Sequence, residues 1–230
     1  MVLIKTSLVH STHMFRGCEK IIAVIILGST EYHGDYLPLS IDGMIIEKLF
    51  DQSIAEIKLP DNICLLELPT IHYGYSIEWI GYPGTISLKP ETLLAILRDI
   101  VYSLRDSTGI NGVLIINGHG GNTGLLESFA RELFFKNHIK TVVVDLWRLA
   151  SRKGLGFCHA CSFEIELAKK LGLPYNPKHS KSQHTGKISS HKDLIAYTNE
   201  SIPGGGEIDV KEFIEYFKNM LRNAIKLLIS

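Results

Sequence analysis

Three side chains able to bind a metal follow the first long apolar run of the sequence. Glu31 and His33 lie in the segment GSTEYHGD (residues 28–35), and Asp42 comes after a Leu-Pro-Leu turn. Because Glu31 and His33 are two positions apart, an extended chain points both side chains to the same side. Carboxylate and imidazole groups placed together suit a divalent metal ion. Asp42 opens a predicted helix, where it could either cap the helix or bridge two cations.

Two later segments carry further polar side chains that could do chemistry. NGHGGN (residues 117–122) contains His119, the only metal-competent side chain of that turn, and Asn122, which is positioned to cap a following helix. A glycine-rich turn of this kind could instead bind phosphate, although it matches neither the Walker pattern nor the dinucleotide fingerprint. CHACSFEIE (residues 158–166) contains His159 and Glu164. Glu166 points away from Glu164 on a helix and is expected to be solvated.

The candidate ligands form a coherent set. They comprise two imidazoles and three carboxylates with no thiolate: Glu31, His33, Asp42, His119 and Glu164. This mixture suits two divalent transition-metal ions, with one carboxylate as a bridge. In dinuclear hydrolases such ions lower the pKa of a water molecule and polarise a carbonyl group. Cys158 and Cys161 form a C-x-x-C pair, but no second cysteine pair stands nearby to complete a zinc site.

The elements that must position these residues are predicted from alternating patterns. Short β-branched runs alternate with longer segments of helical period, which favours an α/β fold with a parallel sheet covered by helices. In such a sheet, ligands bind beyond the carboxyl ends of the strands, where the three polar segments fall. The predicted strands are Ile21–Leu27, Ile63–Leu68, Val113–Ile116 and Thr141–Leu146, and the predicted helices are Ile41–Ile57, Pro90–Ser107, Thr123–Asn137, Phe163–Leu171 and Val210–Leu228.

Two segments fit neither period. Thr70–Leu88, rich in Tyr, Trp and Gly, is predicted to be an ordered loop that could line a pocket. We call it the aromatic loop. Pro174–Gly206 is rich in Ser, Lys and His and contains three consecutive glycines, which predicts irregular structure. Loops of this length in a compact domain are usually functional or mobile.

Composition excludes several classes of protein. The chain has 230 residues, with 24 basic and 24 acidic side chains and 45% hydrophobic residues, which predicts a single domain over residues 1–230. A formal net charge of zero gives no field to attract nucleic acid or anionic lipid. The longest apolar run, Ile21–Leu27, is far shorter than the roughly 18 residues of a membrane span. No secretory signal is recognised, and four scattered cysteines suit a reducing compartment, so a cytoplasmic location is expected.

At these residues the sequence resembles the creatininase family of metal-dependent amidohydrolases. The matching segments are GSTEYHGDYLPLSID, YPGTISL, NGHGGN and HACSFEIE, in the order and spacing of the family. The resemblance implies a Rossmann-like, three-layer α/β/α sandwich with a mostly parallel sheet. It implies that His159 is catalytic and that Asp42 bridges two metal ions. It assigns the ligands to Glu31, His33, Asp42, His119 and Glu164.

Departures from the family pattern narrow the range of expected substrates. Creatinine hydrolases have a glutamate where this chain has Gly121, so Glu164 is the candidate for the missing ligand and for a share in catalysis. Creatinine itself is therefore disfavoured. Within the family, the variants are similar to an archaeal branch of deformylases that act on 2-amino-5-formylamino-6-ribosylaminopyrimidin-4(3H)-one 5'-monophosphate, in riboflavin and deazaflavin coenzyme biosynthesis. That branch implies Fe(II), with Zn(II) or Mn(II) possible at one site, and a homo-oligomer, either dimer or hexamer.

The expected substrate is a phosphorylated pyrimidine. Candidate substrate-binding residues are Trp79, Tyr82, Asn117 and Asn122. The aromatic side chains could stack on a pyrimidine ring or could form a subunit interface. Lysines of the Ser- and Lys-rich loop, Lys181 and Lys187 among them, could bind the phosphate, or could simply be solvated.

The expected reaction is hydrolysis of a formamide to formate and an arylamine, with His159 donating a proton to the leaving nitrogen. His159 could alternatively only orient a metal ligand. Other functions within the family stay open, such as a creatinine-like cyclic amidase or a mycofactocin-type peptidase. A non-catalytic nucleotide-binding scaffold is the alternative from a different class.

Overall fold

A five-stranded parallel sheet forms the centre of the molecule. The computed structural model describes residues 1–8, 12–155, 158–177, 189–191, 194–196 and 207–230. The strand order is β1-β3-β2-β4-β5, and every neighbouring pair is parallel. The strands are β1 (Val2–Lys5), β2 (Lys20–Leu27), β3 (Ile63–Glu67), β4 (Gly112–Asn117) and β5 (Lys140–Asp145). A separate antiparallel hairpin joins β6 (Ser189–His191) to β7 (Leu194–Ala196).

Six α-helices of the described residues accompany the sheet. They are α1 (Ile41–Glu56), α2 (Pro90–Thr108), α3 (Thr123–Asn137), α4 (Leu146–Arg152), α5 (Ser162–Lys170) and α6 (Val210–Ile229). Alternate residues of β2 enter different cores, because successive side chains of a strand point to opposite faces. Ile22, Val24 and Ile26 pack with α1, α4, α5 and α6. Ala23, Ile25 and Leu27 pack with α2 and α3. The predicted three-layer α/β/α fold is confirmed.

The register of the sheet aligns the strand ends that precede the polar segments. Leu27 of β2 pairs with Asn117 of β4, and Asn117 pairs with Asp145 of β5. The chain therefore leaves three adjacent strands at the same level and on the same edge of the sheet. All six residues of β4 are buried, as is typical of a parallel strand covered on both faces.

The predicted elements are present with bounds shifted by at most one residue, and the described part of the chain contains further elements. β1 and α4 were not predicted: β1 has only four residues, and the apolar run of β5 continues into α4 without a turn residue. The hairpin β6–β7 lies within Pro174–Gly206, where irregular structure was predicted. The remainder of that segment, apart from residues 174–177, lies outside the described residues.

The four cysteines are paired as Cys18–Cys64 and Cys158–Cys161. Scattered cysteines in a reducing compartment would carry free thiols, so the two disulfides contradict that expectation. Cys18 and Cys64 are 46 residues apart. They become neighbours only because the adjacent strands β2 and β3 bring the two segments together.

No helix among the described residues is long and apolar enough to cross a membrane.

Gly118 lies against the backbone of α1 beneath the polar segments. A Cβ at this position would lie 2.4 Å from the backbone oxygen of Asp42, so no side chain can be placed there without moving α1. We expect Gly118→Ala to lower the free energy of unfolding by about 3 kcal/mol or more, through overpacking. Gly124→Ala is the matched control, because a Cβ there meets nothing within 4 Å and alanine favours the helix by about 0.5–1 kcal/mol. Urea unfolding of both variants measures the difference, and equal stabilities would contradict the prediction.

Candidate metal centre

Two strand ends and two helix starts supply the side chains of the candidate metal centre. Glu31 and His33 lie in the segment after β2, and His119 lies in the turn after β4. Asp42 is the second residue of α1, and Glu164 is in the first turn of α5. All five side chains are at most 5% exposed. Ser40, not Asp42, occupies the N-cap position of α1. The interpretation of Asp42 as a simple helix cap was therefore wrong.

One group of possible ligands comprises Glu31, Asp42 and His119. Their ligand atoms lie within 4.8 Å of one another. His119 Nδ1 is 3.1 Å from Asp42 Oδ2 and 3.4 Å from Glu31 Oε1. These separations are close to those of two atoms bound to the same ion, since zinc–ligand bonds are about 2.0–2.3 Å.

A second group comprises His33, Asp42 and Glu164, again within 4.8 Å. His33 Nε2 is 3.2 Å from Asp42 Oδ1 and 3.8 Å from Glu164 Oε1. Asp42 belongs to both groups. It presents Oδ2 to His119 and Oδ1 to His33, which is the arrangement of a carboxylate that bridges two cations.

Backbone carbonyls orient the three histidine rings. His33 Nδ1 is 3.0 Å from the carbonyl oxygen of Glu31, and His119 Nε2 is 2.8 Å from that of Tyr75. His159 Nε2 is 2.6 Å from that of Tyr32. Each ring thus donates one N–H to the backbone and directs its other nitrogen toward the carboxylates. This is how metal-binding histidines are usually held, because the outer hydrogen bond fixes the tautomer.

Gly121 keeps the His119 ring in place. A Cβ at residue 121 would lie 2.5 Å from His119 Nε2 and 2.1 Å from the Tyr75 carbonyl oxygen. The hydrogen bond that orients the ring needs this space. Gly121 stands where creatinine hydrolases were expected to have a glutamate, so a glutamate here would require a different backbone path.

Burial and the concentration of charge shift the pKa values of the metal-free protein. Burial opposes ionisation of Asp42, yet His33 and His119 hold its pKa well below the usual range. Burial likewise opposes protonation of the two histidines, but the surrounding carboxylates raise the pKa of His33 to about 10 and that of His119 to about 9. Both imidazoles are therefore protonated at neutral pH without metal, and a metal ion would displace those protons.

The remaining two carboxyl groups behave differently from Asp42. Burial raises the pKa of Glu164 to about 8 and raises that of Glu31. Glu31 Oε2, Glu164 Oε2 and His33 Nε2 are buried and have no hydrogen-bond partner among the described residues. A buried polar atom without a partner costs about 1–3 kcal/mol, more if charged, so native proteins rarely retain one. These atoms fit a metal centre, because cations bound to the two groups would satisfy them.

His159 lies beside the two groups. Its Nδ1 is 3.4 Å from Glu31 Oε1. His159, Glu31 and His33 each offer a ligand atom, and these three atoms lie within 4.8 Å of one another. The ring stacks on Trp79, with ring centroids 3.7 Å apart, and Trp79 itself is 3% exposed. Burial, with a contribution from His33, lowers the pKa of His159 well below its usual value. The neutral ring therefore presents an unprotonated nitrogen to the centre.

The four predicted substrate-binding residues fall into two classes. Trp79 and Tyr82 belong to the aromatic loop, and Tyr82 stacks on Tyr32 with ring centroids 4.6 Å apart. Asn117 and Asn122 are fully buried. The role of all four as substrate contacts stays a prediction.

The side chains of both asparagines form hydrogen bonds with other protein groups. Asn117 donates to the His119 carbonyl and to Asp145, and Asn122 donates to the Gly28 carbonyl and accepts from the Tyr75 backbone. These bonds tie the ends of β2, β4 and β5 to the aromatic loop. The geometry favours a positioning role for both asparagines.

Sequence reasoning missed three polar residues that support the centre. Asp145 accepts hydrogen bonds from Asn117 and Thr123 and caps α4. Ser76 lies 3.2 Å from His119 Nε2. Ser29 donates a 2.6 Å hydrogen bond to Asp42 Oδ2. Only Ser29 carried a sequence signal, since it lies in the segment that contains Glu31 and His33.

We expect Ser29→Ala to weaken metal binding about 10- to 100-fold, the usual effect of removing a hydrogen bond to a ligating carboxylate. Asp42 would lose the donor that holds Oδ2 in place. Competition with a chromophoric chelator measures the affinity, and Ser107→Ala on the exposed surface of α2 is the control. An unchanged affinity would show that Ser29 does not support Asp42.

Known proteins are similar in sequence to parts of this chain. The family model of creatininase, described as creatinine amidohydrolase, matches residues 12–172. The mycofactocin precursor peptide peptidase of Mycolicibacterium smegmatis is 31% identical over 105 residues, 46% of this chain and 42% of that protein. Its counterpart in Mycobacterium tuberculosis (strain CDC 1551 / Oshkosh) is 36% identical over 107 residues, 45% of this chain and 42% of that protein.

A further relative is the 3-dehydro-scyllo-inosose hydrolase of Thermotoga maritima, which is 32% identical over 106 residues, 46% of this chain and 31% of that protein. The matched part of this chain spans less than half the length of each of these relatives.

Solved structures show the same fold. A creatinine amidohydrolase described as putative, from Bacteroides fragilis, has a TM-score of 0.68 at 18% identity and covers 98% of this chain and 96% of its own. A manganese form of creatininase also has a TM-score of 0.68, at 20% identity, with 97% of each chain covered. A variant creatininase of zinc–zinc type has a TM-score of 0.64 at 18% identity, with 98% of each chain covered. With the family model matching well over half of its length, the chain belongs to the creatininase family.

Proposed function

We propose that this protein is a two-metal amidohydrolase that removes the formyl group, as formate, from 2-amino-5-formylamino-6-ribosylaminopyrimidin-4(3H)-one 5'-monophosphate. The observation that carries the two-metal centre is the position of Asp42, whose two oxygens face two separate groups of buried ligands. Glu31 and His119 would hold one ion, and His33 and Glu164 the other. The donor set contains imidazole and carboxylate groups, which accept Fe(II), Zn(II) or Mn(II). We propose Fe(II) as the native metal, on the resemblance to the deformylase branch.

The two ions, when bound, would supply Lewis-acid activation of water and of the formyl carbonyl. His159 would handle the proton. Its Nδ1 faces the centre, while Tyr32 holds Nε2. Because burial lowers its pKa, the ring is neutral and can take a proton from the attacking water. Returning that proton to the leaving nitrogen breaks the C–N bond and releases an amine together with formate.

Trp79 would keep the His159 ring at a fixed angle through the stacking contact. Aromatic faces of the loop are suited to stack on a pyrimidine, and Tyr82 with its partner Tyr32 is the candidate pair. The proposed phosphate contacts, Lys181 and Lys187, lie outside the described residues. A homo-oligomer, dimer or hexamer, is part of the same proposal.

A peptidase acting on a small peptide is the second candidate function. It is favoured by the identity of 31–36% to mycofactocin precursor peptide peptidases over nearly half of this chain. Peptide and formamide hydrolysis need the same activated water and the same protonation of nitrogen. The two functions therefore differ in their substrate and would use the same metal centre.

Formate release is the test. Anaerobically purified protein, reconstituted with ferrous iron, is incubated with the formylaminopyrimidine ribonucleotide, with creatinine, and with a mycofactocin-type precursor peptide. Metal content is measured on the same sample. Glu166→Gln is the matched control variant, because Glu166 is exposed on α5 and pairs with Lys169.

Rapid formate release by a protein that holds close to two ions per chain would support the deformylase. Cleavage of the peptide without formate release would contradict the deformylase function and support the peptidase function. A chain that binds no transition metal would contradict both functions and favour the non-catalytic scaffold.

A further inference from the structure

The C-x-x-C pair beside the metal centre is not used by the proposed reaction. Cys158 and Cys161 form a disulfide that closes a four-residue loop, and His159 lies inside that loop. Both cysteines are buried, at 8% and 7% exposure. Cys161 is also the N-cap residue of α5, whose first turn carries Glu164. The pair is thus connected through the backbone to two residues of the candidate centre.

The sulfur atoms also lie close to the centre in space. The ligand atoms of Cys158, Cys161 and Glu164 are all within 4.8 Å of one another. Two ligands of one zinc ion are separated by at most about 4.6 Å, twice a zinc–sulfur bond length. The C-x-x-C spacing, with its second cysteine at a helix start, is the spacing of zinc-binding cysteine pairs. From the sequence this pair lacked a partner, and the fold supplies one in Glu164.

We propose that Cys158, Cys161 and Glu164 form a redox-controlled metal site, which binds a soft divalent ion such as zinc only when the two cysteines are reduced. A disulfide cannot act as a thiolate ligand, whereas the reduced pair adds two sulfur ligands to the Glu164 carboxylate. In the disulfide form, Glu164 would bind metal only together with His33 and Asp42.

The redox step is a thiol–disulfide exchange with a low-molecular-weight thiol or a dithiol protein. Two reductant thiols transfer two electrons and two protons to the Cys158–Cys161 bond, the bond breaks, and the reductant becomes a disulfide. The two cysteine thiols formed in this way lose their protons when they bind the metal. Oxidation by a disulfide reverses the sequence and releases the ion.

Ala160 explains why the loop can hold this geometry. It has a positive φ of 49°, a left-handed conformation that is uncommon for alanine. The reversal at Ala160 turns Cys161 back toward Cys158, so that both sulfurs face the same side of the loop. Breaking the disulfide leaves this backbone turn available to present two thiolates together.

Cobalt(II) binding tests the site with a signal that catalysis does not produce. Thiolate ligation of cobalt gives a sulfur-to-metal charge-transfer absorption in the near ultraviolet, which imidazole and carboxylate ligands do not give. The full-length metal-free protein is prepared either as the disulfide or after anaerobic reduction, with the reductant removed. Alkylation and mass measurement establish the state of each cysteine before cobalt or zinc is added.

We expect the charge-transfer absorption in the reduced protein and its loss in the disulfide form. Cys158→Ser/Cys161→Ser should lack the absorption under both conditions, although it retains the imidazole and carboxylate ligands of the metal centre. The matched control is Cys18→Ser/Cys64→Ser, which removes the other disulfide and leaves the site intact. It should behave as the wild type.

Absence of the absorption in the reduced protein, or its persistence in Cys158→Ser/Cys161→Ser, would overturn the proposal. The single variants Cys158→Ser and Cys161→Ser should each weaken the absorption, which keeps the test informative if the double variant does not fold. This result does not depend on any substrate, so failure of the deformylase proposal would leave it unaffected.

Discussion

Asp42→Asn is expected to lose both metal ions and with them about 10³-fold or more of the hydrolytic rate. The side chain keeps its shape, but an amide nitrogen replaces one carboxylate oxygen. The amide nitrogen then faces either His33, in the place of Oδ1, or His119, in the place of Oδ2. A loss of several kcal/mol of Lewis-acid stabilisation corresponds to a factor of this size.

The measurement is metal content by elemental analysis after reconstitution, together with the rate of formate release. Glu166→Gln, the same kind of change at an exposed carboxylate, should retain both ions and full activity. Ser29→Ala should show an intermediate loss of affinity, because it removes only one hydrogen bond to Asp42. A variant Asp42→Asn that still holds two ions per chain would exclude the bridging role.

His159→Ala is expected to retain the metal ions but to lower kcat about 10²- to 10⁴-fold, the usual contribution of a general acid–base group. His33 and His119 have direct contacts with Asp42, whereas His159 contacts Glu31 and stacks on Trp79. Its removal therefore takes away a proton carrier and leaves both shared groups intact. KM should change little, because the ring does not hold the metal ions.

Metal content and kcat measured on the same preparation separate the possible roles of His159. Loss of one ion together with activity would place it among the ligands, as its proximity to Glu31 and His33 permits. Trp79→Phe is a useful companion variant. It keeps an aromatic face against the imidazole ring and should cost much less activity than His159→Ala.

The five candidate ligands and, through the family resemblance, the bridging role of Asp42 were predicted from the sequence, but the way its two oxygens face the two groups was not. Glu31, His33 and His119 each follow an apolar run, and a local pattern of hydrophobic residues is enough to predict a strand and its end. Which oxygen of Asp42 faces which histidine depends on how α1 packs against Gly118. That contact joins residues 76 positions apart in the numbering and has no local signature.

Asn117 and Asn122 show most clearly what the sequence could not predict. Their position in a glycine-rich turn indicated substrate contacts, because polar residues at strand ends usually face a ligand. In the structure they are fully buried and tie Gly28, Asp145 and the aromatic loop together. The direction of a side chain at a turn depends on the neighbouring strands, so the sequence could not distinguish positioning from binding.

The sequence by itself determined the α/β class, the order of the main strands and helices, and the chemistry of the ligand set. These features follow from residue type and from local periodicity, which act over a few residues. Only the tertiary structure decided which oxygen of Asp42 faces which group, that Ser29 supports it, and that Cys158 and Cys161 lie beside Glu164. These features depend on strand register and on packing between distant segments, where a shift of one residue would separate the groups.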